Sequence, residues 1–328
     1  MTSLTLTCIG RQQNTHDVVS WQLAPLSGSL PPVLAGQCIT LHTEIDGLPE
    51  CRAYTLSSSP QDACWQVTIK DVGRVSRHLH QILQVGDEIR VDGPFGDFNL
   101  TALPCERPLL LSAGSGITPM WAMLRDELTK RPDADIRFIH SARSPADVIF
   151  ADDLATLAAA HSGVRHALIL EEAPADHPWI GRLTPAMLAE LAPDLRERHV
   201  YLCGPTPYMA AVSAMLAELG LPPEQLHQES FGLPPAEPAT TSDHFWLTLK
   251  KSGKKVKILP GQTLLAALEV AGETIMAACR AGVCGSCRCT TTGDIERQSV
   301  MTLSALDLES GVALACSCTA KGDISLDY

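Results

Sequence analysis

Positive charge is scarce in this chain. Its 328 residues carry 25 Lys and Arg against 37 Asp and Glu, for a net charge of −12. Phosphate backbones are gripped by clustered Lys and Arg, so this balance argues against a general nucleic-acid binder. Long apolar runs are missing too. No stretch approaches about 18 uninterrupted apolar residues, and no transmembrane helix or membrane partner is expected. The opening "MTSLTLTCIG" lacks a basic start followed by an apolar run, so no signal peptide is expected. Internal repeats are absent. These absences point to the cytoplasm, where thiols stay reduced and 12 cysteines make a poor disulfide scaffold. A tight cysteine cluster then reads first as a metal site. Cys8, Cys38, Cys64 and Cys105, single cysteines in apolar surroundings, read as packing residues.

What is present divides into three parts, in line with two or three domains for this length. Residues 1–104 hold short runs rich in Val, Ile, Thr and Leu, broken by Pro, Gly and Asp: "LTLTCIG", "VVSWQLAP", "QCITLHTEI", "RAYTLSS", "WQVTIKD" and "DEIRVDGPFG". Near-regular short strands of this kind predict a small antiparallel β-barrel. One helix, "SRHLHQIL", interrupts it with Ser76 as N-cap. Residues 105–232 alternate apolar strands with helical patterns, which predicts a doubly wound parallel α/β domain. Pro119 is placed at the first position of a helix, and Gly220 just past the end of another. A Pro- and Thr-rich linker over 233–243 leads to a smaller α+β unit at 244–328, expected to be a β-grasp. That unit opens with a hairpin turning at Ser252 and Gly253, followed by a helix capped by Thr263 and stopped at Gly272.

Residues 109–120, "LLLSAGSGITPM", run from a buried strand through a glycine-rich turn into a helix. That arrangement aims unpaired backbone N–H groups and a helix N-terminus at one point, as a pyrophosphate requires. Gly114 and Gly116 permit close approach and Thr118 can add a hydroxyl donor. The spacing is not G-x-G-x-x-G, so the ordinary dinucleotide fingerprint does not apply. "YLCGPTPYM" ends a later strand of the same sheet. Ligands bind at the carboxyl ends of strands in open α/β sheets, so both fragments face one crevice. On the barrel, "RAYTLSS" puts Arg52, Tyr54 and Leu56 on one face and Ala53, Thr55 and Ser57 on the other. "KDVGRVSRHL" adds a turn glycine and a second helix N-terminus.

Cys279, Cys284 and Cys287 form C-x4-C-x2-C, and Cys316 follows 29 residues later. This is the spacing of plant-type [2Fe–2S] ferredoxins. Gly282 and Gly285 suit a loop that folds over a cluster and offers N–H groups to its sulfurs. Zinc sites more often pair two short knuckles. Here the second half is Cys316-Ser-Cys318. Cys289 and Cys318 fall outside the pattern and read as packing residues.

In sequence order, "RAYT", "GRVS", "GPFG", "AGSGITP" and "CGPTPYM" resemble the ferredoxin–NADP reductase superfamily across residues 1–232. The resemblance implies FAD, with Arg52 on the flavin phosphates, Tyr54 against the ring and Thr55 near N5, where hydride arrives. Gly73, Val75 and Ser76 would hold the pyrophosphate. Gly114, Gly116, Thr118 and Pro119 would hold the pyridine nucleotide, with Cys203, Gly204 and Pro205 beside the nicotinamide. Glu229 and Phe231, in "QESFG", fall where the family places an acidic or aromatic residue near the flavin. With the cluster as exit, NADH would supply hydride and the cofactors would release single electrons to a protein partner.

Along most of the chain the resemblance is to bacterial NADH oxidoreductases that reduce hybrid-cluster protein, carried by "RAYTLSSSP", "RPDADIRFIHSARSPADVIFAD", "GRLTPAMLAEL", "CRAGVCGSC" and "ALACSCTAKGDISL". It implies hybrid-cluster protein as acceptor. Reductases of Rieske-type oxygenases share the same order of parts and imply an oxygenase component instead. A redox sensor that holds flavin and cluster is the reading from another class; the intact nucleotide motifs speak against it. Ser141 and Arg143 suit a 2′-phosphate, so the residues alone leave NADPH open and the NADH reading rests on the resemblance. Residues 244–328 hold nine Lys and Arg against eight Asp and Glu. Five of these lysines cluster at the hairpin, a candidate docking point for an acidic partner.

Overall fold

A computed structural model describes residues 3–231, 244–280, 282, 284–299 and 302–328. The linker expected over 233–243 lies outside the described residues. Two compact units emerge, one from residues 1–43 and 54–230, the other from 44–53 and 231–328.

The barrel consists of β1 (Ser3–Thr15), β2 (Val18–Ala24), β3 (Cys38–Ile45), β4 (Leu48–Thr55), β5 (Trp65–Lys70), α1 (Arg74–Ile82) and β6 (Glu88–Phe95). Its strands follow the order β4-β3-β6-β1-β2-β5. A bridge between Leu56 and Val67, with Ser57 N–H donating to Gln66 O at 2.8 Å, joins the two edge strands and closes the sheet. Closure removes unpaired edges. Trp21 and Leu23 point inward and are fully buried. Trp21 Nε1 donates to Leu83 O at 3.0 Å and meets the His80 ring edge-on, fixing α1 to the barrel. The helix starts three residues before the expected point. Gly73 is its N-cap, and Ser76 sits one turn in. From there Ser76 Oγ accepts the N–H groups of Val72 and Gly73 at 3.1 and 2.9 Å. The serine caps the turn from inside it.

The parallel sheet contains β7 (Pro108–Ala113), β8 (Ile136–Ala142), β9 (Val164–Leu170), β10 (His199–Cys203) and β11 (Leu226–Glu229) in the order β11-β10-β7-β8-β9. On one face α2 (Ile117–Lys130) and α3 (Ala151–Ala160) bury Met120, Leu124 and Leu154 against Leu110 and Phe138. On the other, α4 (Pro185–Leu191) and α5 (Thr206–Glu218) bury Leu188, Val212 and Leu216 against Leu109, Leu111 and Ile169. Pro119 is the third residue of α2, not the first. The position is still tolerant, because the first four N–H groups of a helix have no partner within it. Gly220 adopts φ +79° just past α5, where Leu221 N–H closes on Leu216 O.

The strand order reverses on either side of β7, and all of the barrel except residues 44–53 shares one unit with this sheet. Arg125 forks onto Asp62 at 2.7 and 2.8 Å, and Gln61 donates to Asp126 at 2.8 Å. Val18, Ala35 and Phe98 from the barrel join the core that includes α2. Below the amino ends of the strands lies a charge network. Arg198, fully buried, reaches Asp135 and Asp194 at 2.8 Å, and Arg137 reaches Asp194 at 3.0 Å. Arg198 and Arg137 hold the Asp194 carboxyl well below the usual carboxylate range.

In the second unit, β12 (Phe245–Leu249), β13 (Lys255–Ile258), β14 (Arg288–Thr292), β16 (Val312–Leu314) and β18 (Ile324–Asp327) form a mixed sheet ordered β13-β12-β18-β14-β16. A two-stranded ribbon pairs β15 (Ile295–Arg297) with β17 (Cys318–Ala320). The helix α6 (Leu264–Val270) lays Leu264, Leu265 and Leu268 on Leu247, Leu249 and Leu326, the half-wrapped arrangement of a β-grasp. Thr263 caps it, accepting Ala266 N–H at 3.2 Å. A short α7 (Ala305–Glu309) was missed from sequence, although Ser304 and Asp307 spell a capping box. The lysine hairpin is largely engaged locally. Lys254 pairs with Glu273 at 2.8 Å, Lys251 lies over Tyr328 and Lys257 over Trp246. Lys255 and Lys257 stand on the edge strand β13, where charge discourages further strand pairing.

Candidate active site and cluster loop

The turn after β7 comprises Gly114, Ser115 and Gly116 and packs beside β5. Its two glycines differ in what surrounds them. Gly114 takes φ +52°, and a Cβ there would meet nothing within 4 Å. A Cβ on Gly116 would lie 2.3 Å from Cys203 O and 2.7 Å from Gly204 N. Gly116 is therefore required by another backbone, that of the "CGP" turn, and Gly114 leaves an open approach for a ligand. Thr118 is buried, and its hydroxyl donates to Ser115 O at 3.0 Å, so it braces the turn from within. Both turns emerge at the carboxyl ends of β7 and β10, at the reversal point where α/β sheets bind ligands.

Register carries a further pairing. Cys203 on β10 stands opposite Glu229 on β11. Cys203 is fully buried, and burial followed by the Glu229 charge pushes its thiol well up, so it is a neutral, soft side chain. Gly204 is pressed between Tyr208 and Ala113. Pro205 caps α5. At this edge His140 Nε2 is buried without a hydrogen-bond partner among the described residues, and the buried Ser141 Oγ and Tyr208 OH have only a loose contact with each other. Unmet polar atoms at a strand edge are what a bound ligand satisfies. His140 Nδ1 contacts Ser112 Oγ at 2.9 Å, and burial lowers its imidazole to about 4, so the ring is neutral. At the end of β8, Glu171 and Glu172 donate backbone N–H groups to Ala142 O and Arg143 O. Two acidic residues thus stand beside the Ser141–Arg143 segment, which sequence order had hidden.

On β4 the burial follows the expected alternation only in part. Cys51 and Thr55 are buried, Arg52, Ala53 and Tyr54 are each half-buried, and Leu56 just beyond the strand is buried like Ser57. Arg52 Nη1 donates to Cys51 O at 2.7 Å and pairs with Glu50 at 3.4 Å, so the guanidinium folds back onto its own strand. Gly73 opens α1, and a Cβ there would meet nothing within 4 Å. Val75 and Ser76 behind it are buried. An open glycine ahead of a helix N-terminus fits a phosphate group. Phe231 is exposed at the last described residue before the linker.

Cys284, Cys287 and Cys316 are buried, and Cys279 is half-buried. Their contacts pair them. Cys279 N–H donates to Cys284 Sγ at 3.4 Å, and Cys316 N–H to Cys287 Sγ at 3.5 Å. Contact with Cys279 raises the Cys284 thiol, and contact with Cys279 and then Cys287 raises that of Cys316. Among the described residues no set of three or more His, Cys, Asp or Glu is gathered as for a single ion. Two sulfur pairs linked through Cys279 and Cys316 suit two irons, and the soft thiolate donors suit iron–sulfur chemistry. Gly282 takes φ +74°, a Cβ there would lie within 2.8 Å of Ser299 and Ser317, and its N–H donates to Cys316 Sγ at 3.2 Å. No cysteine is bonded to another. Cys289 and Cys318 are buried core residues, as are Cys8 and Cys38; Cys64 and Cys105 are only half-buried.

A protein that can seat a nicotinamide, a flavin and a two-iron cluster is equipped to divide a hydride into single electrons, the task of a flavin and iron–sulfur reductase. Comparison with known proteins agrees. The oxidoreductase FAD-binding domain family matches residues 12–100, the oxidoreductase NAD-binding domain 110–214, and the 2Fe-2S iron–sulfur cluster binding domain 247–321. The glycine betaine monooxygenase reductase subunit of Chromohalobacter salexigens is 37% identical over 86% of this chain and 83% of its own. NADH oxidoreductase HCR of Escherichia coli is 35% identical over 91% of this chain and 89% of its own. The crystal structure of phthalate dioxygenase reductase, at 25% identity, superposes with a TM-score of 0.64 over 99% of this chain and 98% of that one. The chain belongs to the ferredoxin–NADP reductase superfamily, in the branch with a C-terminal [2Fe–2S] ferredoxin domain. It is an NAD(H)-dependent oxidoreductase that passes electrons to a protein partner. No described helix is long and apolar enough to cross a membrane.

Proposed function

We propose that the chain is the reductase component of an oxygenase system, taking hydride from NADH and delivering single electrons to an oxygenase component. The observation that carries this reading is its likeness, over most of both chains, to a monooxygenase reductase subunit. When bound, FAD accepts hydride and returns electrons singly, and the cluster carries one at a time. The protein's part is to position and to exclude. Gly114 and Gly116, with Thr118 and Pro119 behind them, hold the nucleotide phosphates. Cys203, Gly204 and Pro205 seat the nicotinamide, and the neutral, buried Cys203 thiol adds no charge of its own there. Glu229, its register partner, keeps an acidic group at that edge. Arg52 and Gly73, Val75 and Ser76 hold the flavin phosphates, Tyr54 covers the ring, Thr55 lies near its N5 and Phe231 near its outer face. Cys279, Cys284, Cys287 and Cys316 ligate the cluster. NADH over NADPH is supported by the likeness to NADH oxidoreductase HCR.

Hybrid-cluster protein is the second reading of the acceptor, favoured by the likeness to NADH oxidoreductase HCR. Anaerobic mixing of NADH, the loaded chain and each purified acceptor decides between them. Reduction of an oxygenase component well ahead of hybrid-cluster protein is expected, and the reverse order would overturn the assignment. Fast NADH turnover with an artificial acceptor separates both from a sensor.

A further inference from the structure

The hydroxyl of Ser286 has a place that the four-thiol set does not explain. Ser286 lies between two ligand cysteines, and its Oγ stands 3.0 Å from Cys284 Sγ. The same oxygen accepts Ala278 N–H at 2.8 Å. With that bond accepted, the hydroxyl's own hydrogen is left for another partner, and Cys284 Sγ is within reach. Between a thiol and a hydroxyl either atom could donate. A ligating thiolate has no hydrogen to give, so in the loaded protein Ser286 is the donor. The chain makes this turn through Gly285 at φ +71°. The backbone donors Cys279 N–H, Gly282 N–H and Cys316 N–H stand 3.4, 3.2 and 3.5 Å from their sulfurs, so the hydroxyl contact is the shortest of the four.

We propose that Ser286 is a positioning residue that sets the reduction potential of the [2Fe–2S] cluster by donating its hydroxyl hydrogen to Cys284 Sγ. Reduction adds negative charge to the cluster and its sulfurs. A donor aimed at a sulfur stabilises the more negative state more strongly, so the potential rises. The Ala278 N–H fixes the oxygen in advance, so little reorganisation accompanies electron arrival. Ser286 thereby makes the cluster a better acceptor from the flavin and a weaker donor to the partner.

The test compares full-length Ser286→Ala and Ser286→Thr, each loaded with cluster and assayed for iron per chain. The readout is an anaerobic redox titration followed by EPR. Ser286→Ala is expected to lower the reduction equilibrium constant about tenfold, a drop of about 59 mV for one electron. Ser286→Thr, which keeps a hydroxyl, is expected to stay near the parent value. An unmoved potential in iron-replete Ser286→Ala overturns the proposal, as does an equal drop in both variants. If Ser286→Ala does not hold its cluster, the parent protein is moved into D2O and the reduced cluster examined by pulsed EPR. A deuteron coupling that appears ahead of those of the buried amides supports the hydroxyl donor, and its absence overturns it.

Discussion

Two glycine-containing loops, one over residues 113–117 and the other over 279–287, put the same flexible residue to different ends. In the turn after β7, the proposed nucleotide contacts fall to the main chain, and Gly116 exists to admit the Cys203 carbonyl. In the cysteine loop the side chains do the chemistry, and Gly282 exists to tuck beneath Ser299 and Ser317 while offering its N–H to a sulfur. A site built of main chain is sensitive to added volume. A site built of side chains is sensitive to the identity of single atoms.

That contrast can be broken most directly at Cys284. Replacing one sulfur by oxygen in Cys284→Ser is expected to abolish reduction of cytochrome-type one-electron acceptors while NADH still bleaches the flavin. Equal acceptor reduction in the variant would remove the cluster from the path. In the nucleotide turn, Gly116→Ala adds one methyl group where a carbonyl stands 2.3 Å away. Displacing the turn on the order of 1 Å should slow stopped-flow flavin reduction by NADH about 100-fold, with the cluster's visible spectrum unchanged. A normal rate would show that the two turns are not in contact in solution.

His140 gives a smaller effect, on stability. Its imidazole titrates near about 4 in the fold against 6.5 when exposed. As pH falls the unfolded chain takes up this proton first. The stability due to the neutral ring is thus full above about 6.5 and is lost toward about 4. Urea unfolding at pH 7 and pH 5 should differ by about 2 kcal/mol from this group, and His140→Gln should flatten that difference. An unchanged slope in the variant would assign the acid sensitivity elsewhere, to carboxylates such as Asp194. The smallest effect is expected at Cys289, a buried neighbour of the loop whose thiol burial raises to about 12. Cys289→Ala should keep full iron content, and losing the cluster would make it part of the ligand shell.

The barrel, the parallel sheet and the β-grasp were legible because alternating and 3.6-residue patterns are local properties of the chain. Cap positions were less so. Ser76 and Pro119 each carry the chemistry of a helix start, but both work from two residues inside it, since several of the first N–H groups tolerate the same solutions. Contacts made across strands could not be read at all. The facing of Cys203 and Glu229 is a matter of register, and the placing of Glu171 and Glu172 against Ala142 and Arg143 is a matter of strand order. Nothing in the local sequence marks Arg198, which the fold surrounds with Asp135 and Asp194. Ser286 was hidden for the same reason, because its role depends on where the Ala278 N–H points.

The closeness of Gly116 to the Cys203 carbonyl makes the two turns a single mechanical part. Neither can move toward the other without displacing it. Under the proposed function, crowding by a phosphate at the first turn would be felt in the platform under the nicotinamide, affinity gained at the remote end of the nucleotide would become accuracy at its reacting end, and a fragment without its phosphates should bind loosely and also meet a poorly aligned seat.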